Sequence, residues 1–182
     1  MKILFSDTHT FEKEIFNSVN KKFGFEIEYA DFRLTAKTAK GIESADVICS
    51  FVSDKIDRDC LQVFASKGIK LIALRSAGFN HVDIEAADEL GIAVCRVPGY
   101  SPHAVAEFAL ALSLSLNRKV HKAYCRVKEL NFSLDGLVGF DFYGKTVGVV
   151  GAGRIGKIYA QIMAAIGCHV LVFDMHKDPE LM

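Results

Sequence analysis

Several features are missing from this chain, and each absence removes a class of function. There is no excess charge: Lys plus Arg number 22 and Asp plus Glu number 22, so the formal net charge is zero. A chain so balanced has no whole-molecule electrostatic reason to bind nucleic acid or an acidic membrane surface. There is no CxxC pair. The five cysteines, Cys49, Cys60, Cys95, Cys125 and Cys168, are scattered through apolar segments, which reads as reduced thiols in a cytoplasmic protein. There is no ligand-spaced histidine cluster among His9, His81, His121 and His169, so no metal site is expected. Long apolar runs are missing too. The longest, Ala104 to Leu116, is interrupted by Glu107 and two serines, whereas a spanning helix needs about 20 apolar residues. The opening "MKILFSDTH" turns polar after four residues, so no signal peptide is expected. No internal repeat and no low-complexity tract is found.

What is present is apolar patterning. Hydrophobic residues make up 51% of 182 residues, enough for a packed core in one domain, or in one and part of another. "KILFSD", "FEIEYA", "DVICSF", "KLIALRS" and "AVCRV" read as short strands. Between them, Phe11 to Phe23, "DRDCLQVFASKG" and "DIEAADELG" carry helical spacing, the last two closing on Gly68 and Gly91. Asp83 stands where an N-cap for the third helix belongs. Strands alternating with helices predict an α/β domain with a parallel sheet. Pro98-Gly99 then breaks the pattern. From about Ser101 a helical pattern runs through "HAVAEFALALSLSLNRKVHKAYCRVK" without proline or glycine. A helix of that length predicts a crossover between two domains, with the boundary near Pro98: residues 1–98 in one, 99–182 in the other. Its residues Phe108, Leu110, Leu112, Leu114 and Leu116 occupy more than one face, which predicts a two-fold dimer contact as well. The basic run "NRKVHKAYCRVK" reads as a solvated helix face or part of that contact.

After a loop rich in Gly and Phe, "TVGVVG", "RIGKIYAQIMAAIG" and "HVLVFD" make one strand–helix–strand unit. Gly151, Gly153 and Gly156 form GxGxxG between its first strand and its helix. The first glycine allows a tight turn, the second lets backbone approach a pyrophosphate, and the third allows close helix–strand packing. The helix N-terminus adds unpaired amides and positive dipole. Such a loop alone is weak evidence. Here the next strand ends in an acid, Asp174, at the distance expected for a ribose hydroxyl contact. A carboxylate there accepts from a 2′-hydroxyl and repels a 2′-phosphate, so NAD is expected over NADP. His176 and Lys177 follow closely and bear on that preference. The competing reading of Asp174 is a strand-end turn residue.

Four stretches carry a wider likeness: "RSAGFNHVD" at 75–83, "VPGYSPHAVAEFAL" at 97–110, "FYGKTVGVVGAGRIG" at 142–156 and "VFDMHKDPEL" at 172–181. In order and spacing they resemble the D-isomer-specific 2-hydroxyacid dehydrogenases, and within them the D-lactate dehydrogenase branch. The resemblance implies a flavodoxin-like parallel-sheet substrate domain followed by the start of a Rossmann dinucleotide-binding domain. It implies that the amides of Ala77 and Gly78 meet a substrate carboxylate. It implies that Tyr100 closes over the substrate from the hinge, or else wedges between domains. Arg154 and Ile155 match positions whose amides meet the pyrophosphate. Arg75 is tempting as a carboxylate clamp, but the family's arginine comes from a later segment, and Arg75 reads as a structural ion-pair residue. His103, at a helix start, reads as a capping or surface residue.

The implied reaction is NAD-dependent reduction of a small 2-keto acid, pyruvate first, to the D-2-hydroxy acid. It needs a cation for the carboxylate and carbonyl, a general acid, and a carboxylate that tunes the acid. In the family an arginine, a histidine and a glutamate do this from chain beyond position 182. No catalytic residue is therefore expected within this chain, which reads as an N-terminal part of such an enzyme, inactive alone and homodimeric when full length. The alternative is a non-catalytic NAD-binding or interaction module.

Overall fold

Short, β-branched, nearly continuous apolar runs become the inner strands of a sheet covered on both faces. In the computed structural model, which describes residues 1–176, Val47–Ser50 is such a strand, buried at all four positions. The residues fall into two compact units, Met1–Tyr100 and those from Ser101 onward.

The first unit holds strands β1 (Lys2–Phe5), β2 (Glu26–Tyr29), β3 (Val47–Ser50), β4 (Leu71–Leu74) and β5 (Ala93–Cys95). All pairings are parallel and the order is β2-β1-β3-β4-β5. That is the flavodoxin-like order, whose topological switch lies between β1 and β3. Helices α1 (Thr10–Asn20), α2 (Ala36–Ala39), α3 (Arg58–Ser66) and α4 (Ile84–Glu89) connect the strands. One sheet face supplies Leu4, Ile48 and Ile72 to a core closed by Ala39, Cys60, Leu61, Phe64, Ala86 and Ala87 from α2, α3 and α4. On the other face, Ile3, Phe5, Val47, Cys49 and Ala73 line an apolar cleft with Phe16, Val19 and Phe23. Asp83 caps α4, accepting from the Ala86 amide at 2.9 Å. Gly68 and Gly91 take φ of +79° and +65° after their helices, a region that favours glycine.

In the second unit, α5 (Pro102–Asn117) and α6 (Val120–Lys128) precede β6 (Thr146–Val150), α7 (Arg154–Ala165) and β7 (His169–Phe173). The last three form one parallel β–α–β unit. Helix α5 lies against α7, where the Ser113 and Tyr159 hydroxyls are 3.2 Å apart. The single long helix expected from Ser101 is instead two. Lys119 takes φ +53°, a left-handed conformation that stops α5. The following loop holds this break: the Asn117 side chain donates to the Phe140 carbonyl at 2.6 Å and accepts from its amide at 3.0 Å. Lys119 Nζ donates to the Val138 carbonyl at 2.8 Å. Tertiary bonds to a loop 20 residues downstream, roughly, outweigh local propensity that had neither proline nor glycine to interrupt it. Among the described residues, no helix is long and apolar enough to cross a membrane.

Candidate functional site

The carboxyl edge of a parallel sheet is where its loops bring backbone and side chains together. At that edge β4 runs into the loop 75–80. The carbonyls of residues 76–79 are each occupied from within: Ser76 O accepts from the Val97 amide at 3.1 Å, and Ala77 O from Arg96 Nη1 at 2.9 Å. Gly78 O accepts from Ser76 Oγ at 2.7 Å, and Phe79 O from the Val82 amide at 3.0 Å. Among the described residues, neither the Ala77 nor the Gly78 amide donates to any protein acceptor. Two adjacent N–H groups without protein acceptors are available to donate to a ligand. A β-carbon at Gly78 would meet nothing within 4 Å, and its φ is not positive. Neither packing nor backbone strain requires glycine there.

Arg75 stands behind this loop. Its Nε lies 3.0 Å from Glu12 Oε1, with both side chains buried. Its Nη1 donates to the Cys49 carbonyl at 2.8 Å and its Nη2 to the Ser6 carbonyl at 2.9 Å. The guanidinium also lies 5.2 Å from the Phe5 and Phe51 ring centres. A side chain so engaged ties α1 to the ends of β1 and β3; it is an ion-pair residue of the scaffold. Asp54 does similar work, accepting from Ser6 Oγ (2.5 Å), Leu34 N (2.7 Å), Ser50 Oγ (2.8 Å) and Phe51 N (2.9 Å). Among the described residues His81 Nε2 is buried with no hydrogen-bond partner, and burial holds its pKa below the ordinary histidine value. It is neutral near pH 7.

Tyr100 is 71% exposed. It borders a cleft of about 460 Å³ together with Phe11, Ile15, Phe16, Arg75 and Val97. The structure thus brings Tyr100 to Arg75, while Ala77 and Gly78 do not line that cleft.

In the second unit the glycine loop joins β6 to α7. Gly151 takes φ +91° and its amide donates to the Phe173 carbonyl at 2.8 Å, closing the turn onto β7. Gly153 is the N-cap of α7 in extended backbone, and a β-carbon on it would meet nothing within 4 Å. At Gly156 a β-carbon would run into the Gly151 carbonyl oxygen. Arg154 and Ile155 occupy the first turn of α7, where amides have no intrahelical acceptor. Asp174 accepts from the Ala152 amide at 2.6 Å and from the His176 amide at 2.8 Å. These bonds, His176 first, hold its carboxyl below the usual carboxylate range, so it is ionised at neutral pH. A dinucleotide fits this arrangement: the open space at Gly153 admits a phosphate beside the helix N-terminus, and the charged Asp174 retains lone pairs for a diol. Lys177, weighed above for its bearing on NADP, lies outside the described residues.

Sequence reasoning missed Arg96 and Ser76. The available signal was an arginine at the end of a strand, one residue before the "VPGY" stretch, and a serine opening the loop. Nothing in spacing alone says that both turn onto loop carbonyls.

Residues 3–167 match the family of D-isomer-specific 2-hydroxyacid dehydrogenases, catalytic domain. The chain is 48% identical to the Escherichia coli D-lactate dehydrogenase over 174 residues, 96% of this chain and 53% of that protein. It is 51% identical over 182 residues to 2-hydroxyacid dehydrogenase homolog 1 of Schizosaccharomyces pombe, covering all of this chain and 55% of that one. The apo-structure of the Escherichia coli D-lactate dehydrogenase superposes with a TM-score of 0.89 at 46% identity, over 100% of this chain and 57% of that chain. The Aquifex aeolicus D-lactate dehydrogenase, solved with NAD and lactic acid, superposes with a TM-score of 0.79 at 31% identity, over 98% of this chain and 53% of that chain. The chain spans about half the length of the curated relatives it matches.

Proposed function

The chain belongs to the D-isomer-specific 2-hydroxyacid dehydrogenase family, and we propose that it carries the substrate-carboxylate and dinucleotide-binding parts of an NAD-dependent D-lactate dehydrogenase acting on pyruvate. The observation that carries this reading is the loop 76–79, whose carbonyls are all bound inward while the Ala77 and Gly78 amides have no acceptor among the described residues. A carboxylate there receives two N–H donors without displacing any protein bond. Tyr100, exposed beside Arg75 rather than beside the amide pair, closes toward the bound acid from the hinge in this reading. The Aquifex aeolicus relative was solved with NAD and lactic acid, which supports these two classes of ligand.

In the second unit, the amides of Gly153, Arg154 and Ile155 take the pyrophosphate, Gly151 makes the turn, and Gly156 keeps α7 against the strand. Asp174 accepts from the adenosine ribose 2′-hydroxyl and repels a 2′-phosphate. NAD, when bound, supplies the hydride acceptor or donor of the reaction.

The cation that polarises the ketone and the acid that protonates it are not assigned to any residue of this chain. The 182-residue polypeptide by itself binds but does not turn over. The exposed apolar residues of α5, Phe108, Leu112 and Leu116, support a dimer contact of the active protein. The scattered free cysteines support a cytoplasmic protein, and the balanced charge gives no electrostatic reason for a nucleic-acid or membrane partner.

The test is NADH and NADPH binding by the 182-residue chain, with pyruvate-dependent NADH oxidation measured beside the Escherichia coli enzyme. The expected result is binding of NADH over NADPH, a narrower gap in Asp174→Ser, and no turnover. Equal binding of both cofactors before mutation contradicts the role of Asp174. Turnover within about tenfold of the control contradicts the catalytic assignment.

A further inference from the structure

Two peptide planes decide where the Ala77 and Gly78 amides point. A peptide unit is planar and trans, so the N–H of one residue lies antiparallel to the carbonyl of the residue before it. Whatever holds Ser76 O therefore aims the Ala77 amide, and whatever holds Ala77 O aims the Gly78 amide. The first carbonyl is held by a backbone group, the Val97 amide at 3.1 Å. The second is held by a side chain, Arg96 Nη1 at 2.9 Å.

We propose that Arg96 is a positioning residue for the carboxylate loop, holding the Ala77–Gly78 peptide plane so that the Gly78 amide faces the bound acid. Arg96 is itself held. It stands at the end of β5, its neighbour Val97 is bonded to the loop, and its guanidinium lies 5.3 Å from the Phe79 ring centre. One flat cation thus joins two residues of the loop, Ala77 through its carbonyl and Phe79 through its ring. The hold is needed because Gly78 lacks a β-carbon and meets no neighbour where one would stand. Without a donor on Ala77 O, that plane is free to rotate at little cost. A charged donor on the carbonyl also polarises the same amide unit and strengthens its N–H as a donor. Arg96 does this without touching the acid, through the peptide it grips.

The inference rests on the reading of Ala77 and Gly78 as carboxylate donors, and it makes the two amides respond differently to one substitution. The experiment is amide-resolved 1H–15N NMR on the 182-residue chain, in wild type and Arg96→Met, with Arg96→Ala, which also lacks a donor, as the second variant should Met precipitate. In the ligand-free protein, the Gly78 order parameter is expected to fall from the rigid range near about 0.85 toward about 0.6 or lower in the variant, while that of Ala77 stays. Titrated with pyruvate, both amides of the wild type shift, and neither shifts with acetone, which lacks the carboxylate. In the variant the Gly78 response is lost, the Ala77 response remains, and pyruvate binds about tenfold more weakly.

A Gly78 amide as rigid in the variant as in wild type overturns the inference, whatever the pyruvate result. Equal weakening at Ala77 and Gly78 also overturns it, because that is the signature of lost charge alone. Wild-type amides that ignore pyruvate contradict the carboxylate reading instead, and the ligand-free order parameters still decide the role of Arg96.

Discussion

The carboxylate of Asp174, at the end of β7, accepts a 2.6 Å hydrogen bond from the amide of Ala152, which sits between the first two glycines of the loop after β6. The acid proposed to select the ribose thus also holds the turn proposed to meet the pyrophosphate. The two parts of the proposed dinucleotide site are joined by this bond within one β–α–β segment.

That bond has a pH dependence of defined sign. The His176 and Ala152 amides lower the Asp174 pKa from its ordinary value. A carboxyl depressed on folding contributes stability above its unfolded pKa and loses it as pH falls through the folded one. The Ala152 amide shift should therefore titrate on acidification with a midpoint below the ordinary aspartate value. A midpoint at or above the ordinary value would show that the bond does not form.

The glycines of the loop separate in their demands. Gly153→Ala adds a β-carbon to open space, so the fold should hold within about 0.5 kcal/mol while NADH binding is lost. Gly156→Ala drives a β-carbon onto the Gly151 carbonyl, so it should destabilise by about 1–3 kcal/mol and weaken NADH together with the fold. Thermal melts with and without NADH check both. Gly153→Ala with unaltered NADH affinity would remove the loop from the cofactor site.

Arg75 and Glu12 form a buried pair, 6% and 9% exposed at their side chains. Arg75→Met leaves the Glu12 carboxylate without its partner and should cost about 3–5 kcal/mol. Adding Glu12→Gln should return part of that loss. Urea unfolding of the single and double variants measures it, and a single variant as stable as wild type would show that the pair carries no weight.

The thiols should divide by burial. Burial pushes Cys49 up to about 11 and Cys60 up to about 12, while Cys95 and Cys125 are exposed. Cys168 is also buried, its Sγ 3.2 Å from the Phe142 carbonyl. A thiol reagent at pH 8 should label Cys95 and Cys125 quickly and the other three only on unfolding. Fast labelling of Cys49 or Cys60 in the folded protein would contradict the packing of the first unit.

Much of this architecture is legible in the residues. "DVICSF" and "KLIALRS" announce buried strands by apolar continuity, and Asp83 announces its helix by the cap it makes. The glycine loop is legible because backbone geometry requires glycine at two of its positions. The break at Lys119 is not. It is held by Asn117 and Lys119 bonding to carbonyls and an amide at 138–140, partners far along the chain that no local pattern reveals. Arg96 is hidden for the same reason. Its role lies in one hydrogen bond to a carbonyl 19 residues earlier, and an arginine at a strand end carries no mark of such a contact.

The central claim is that this chain holds a working dinucleotide loop tied to its ribose-selecting acid. The most direct measurement is an NADH titration of the 182-residue chain followed at each backbone amide. The account predicts saturable shifts at Gly153, Arg154 and Ile155, with Ala152 and Asp174 moving in step and the first unit's sheet unmoved. NADH that leaves those amides in place, or that perturbs only residues elsewhere in the chain, would contradict it.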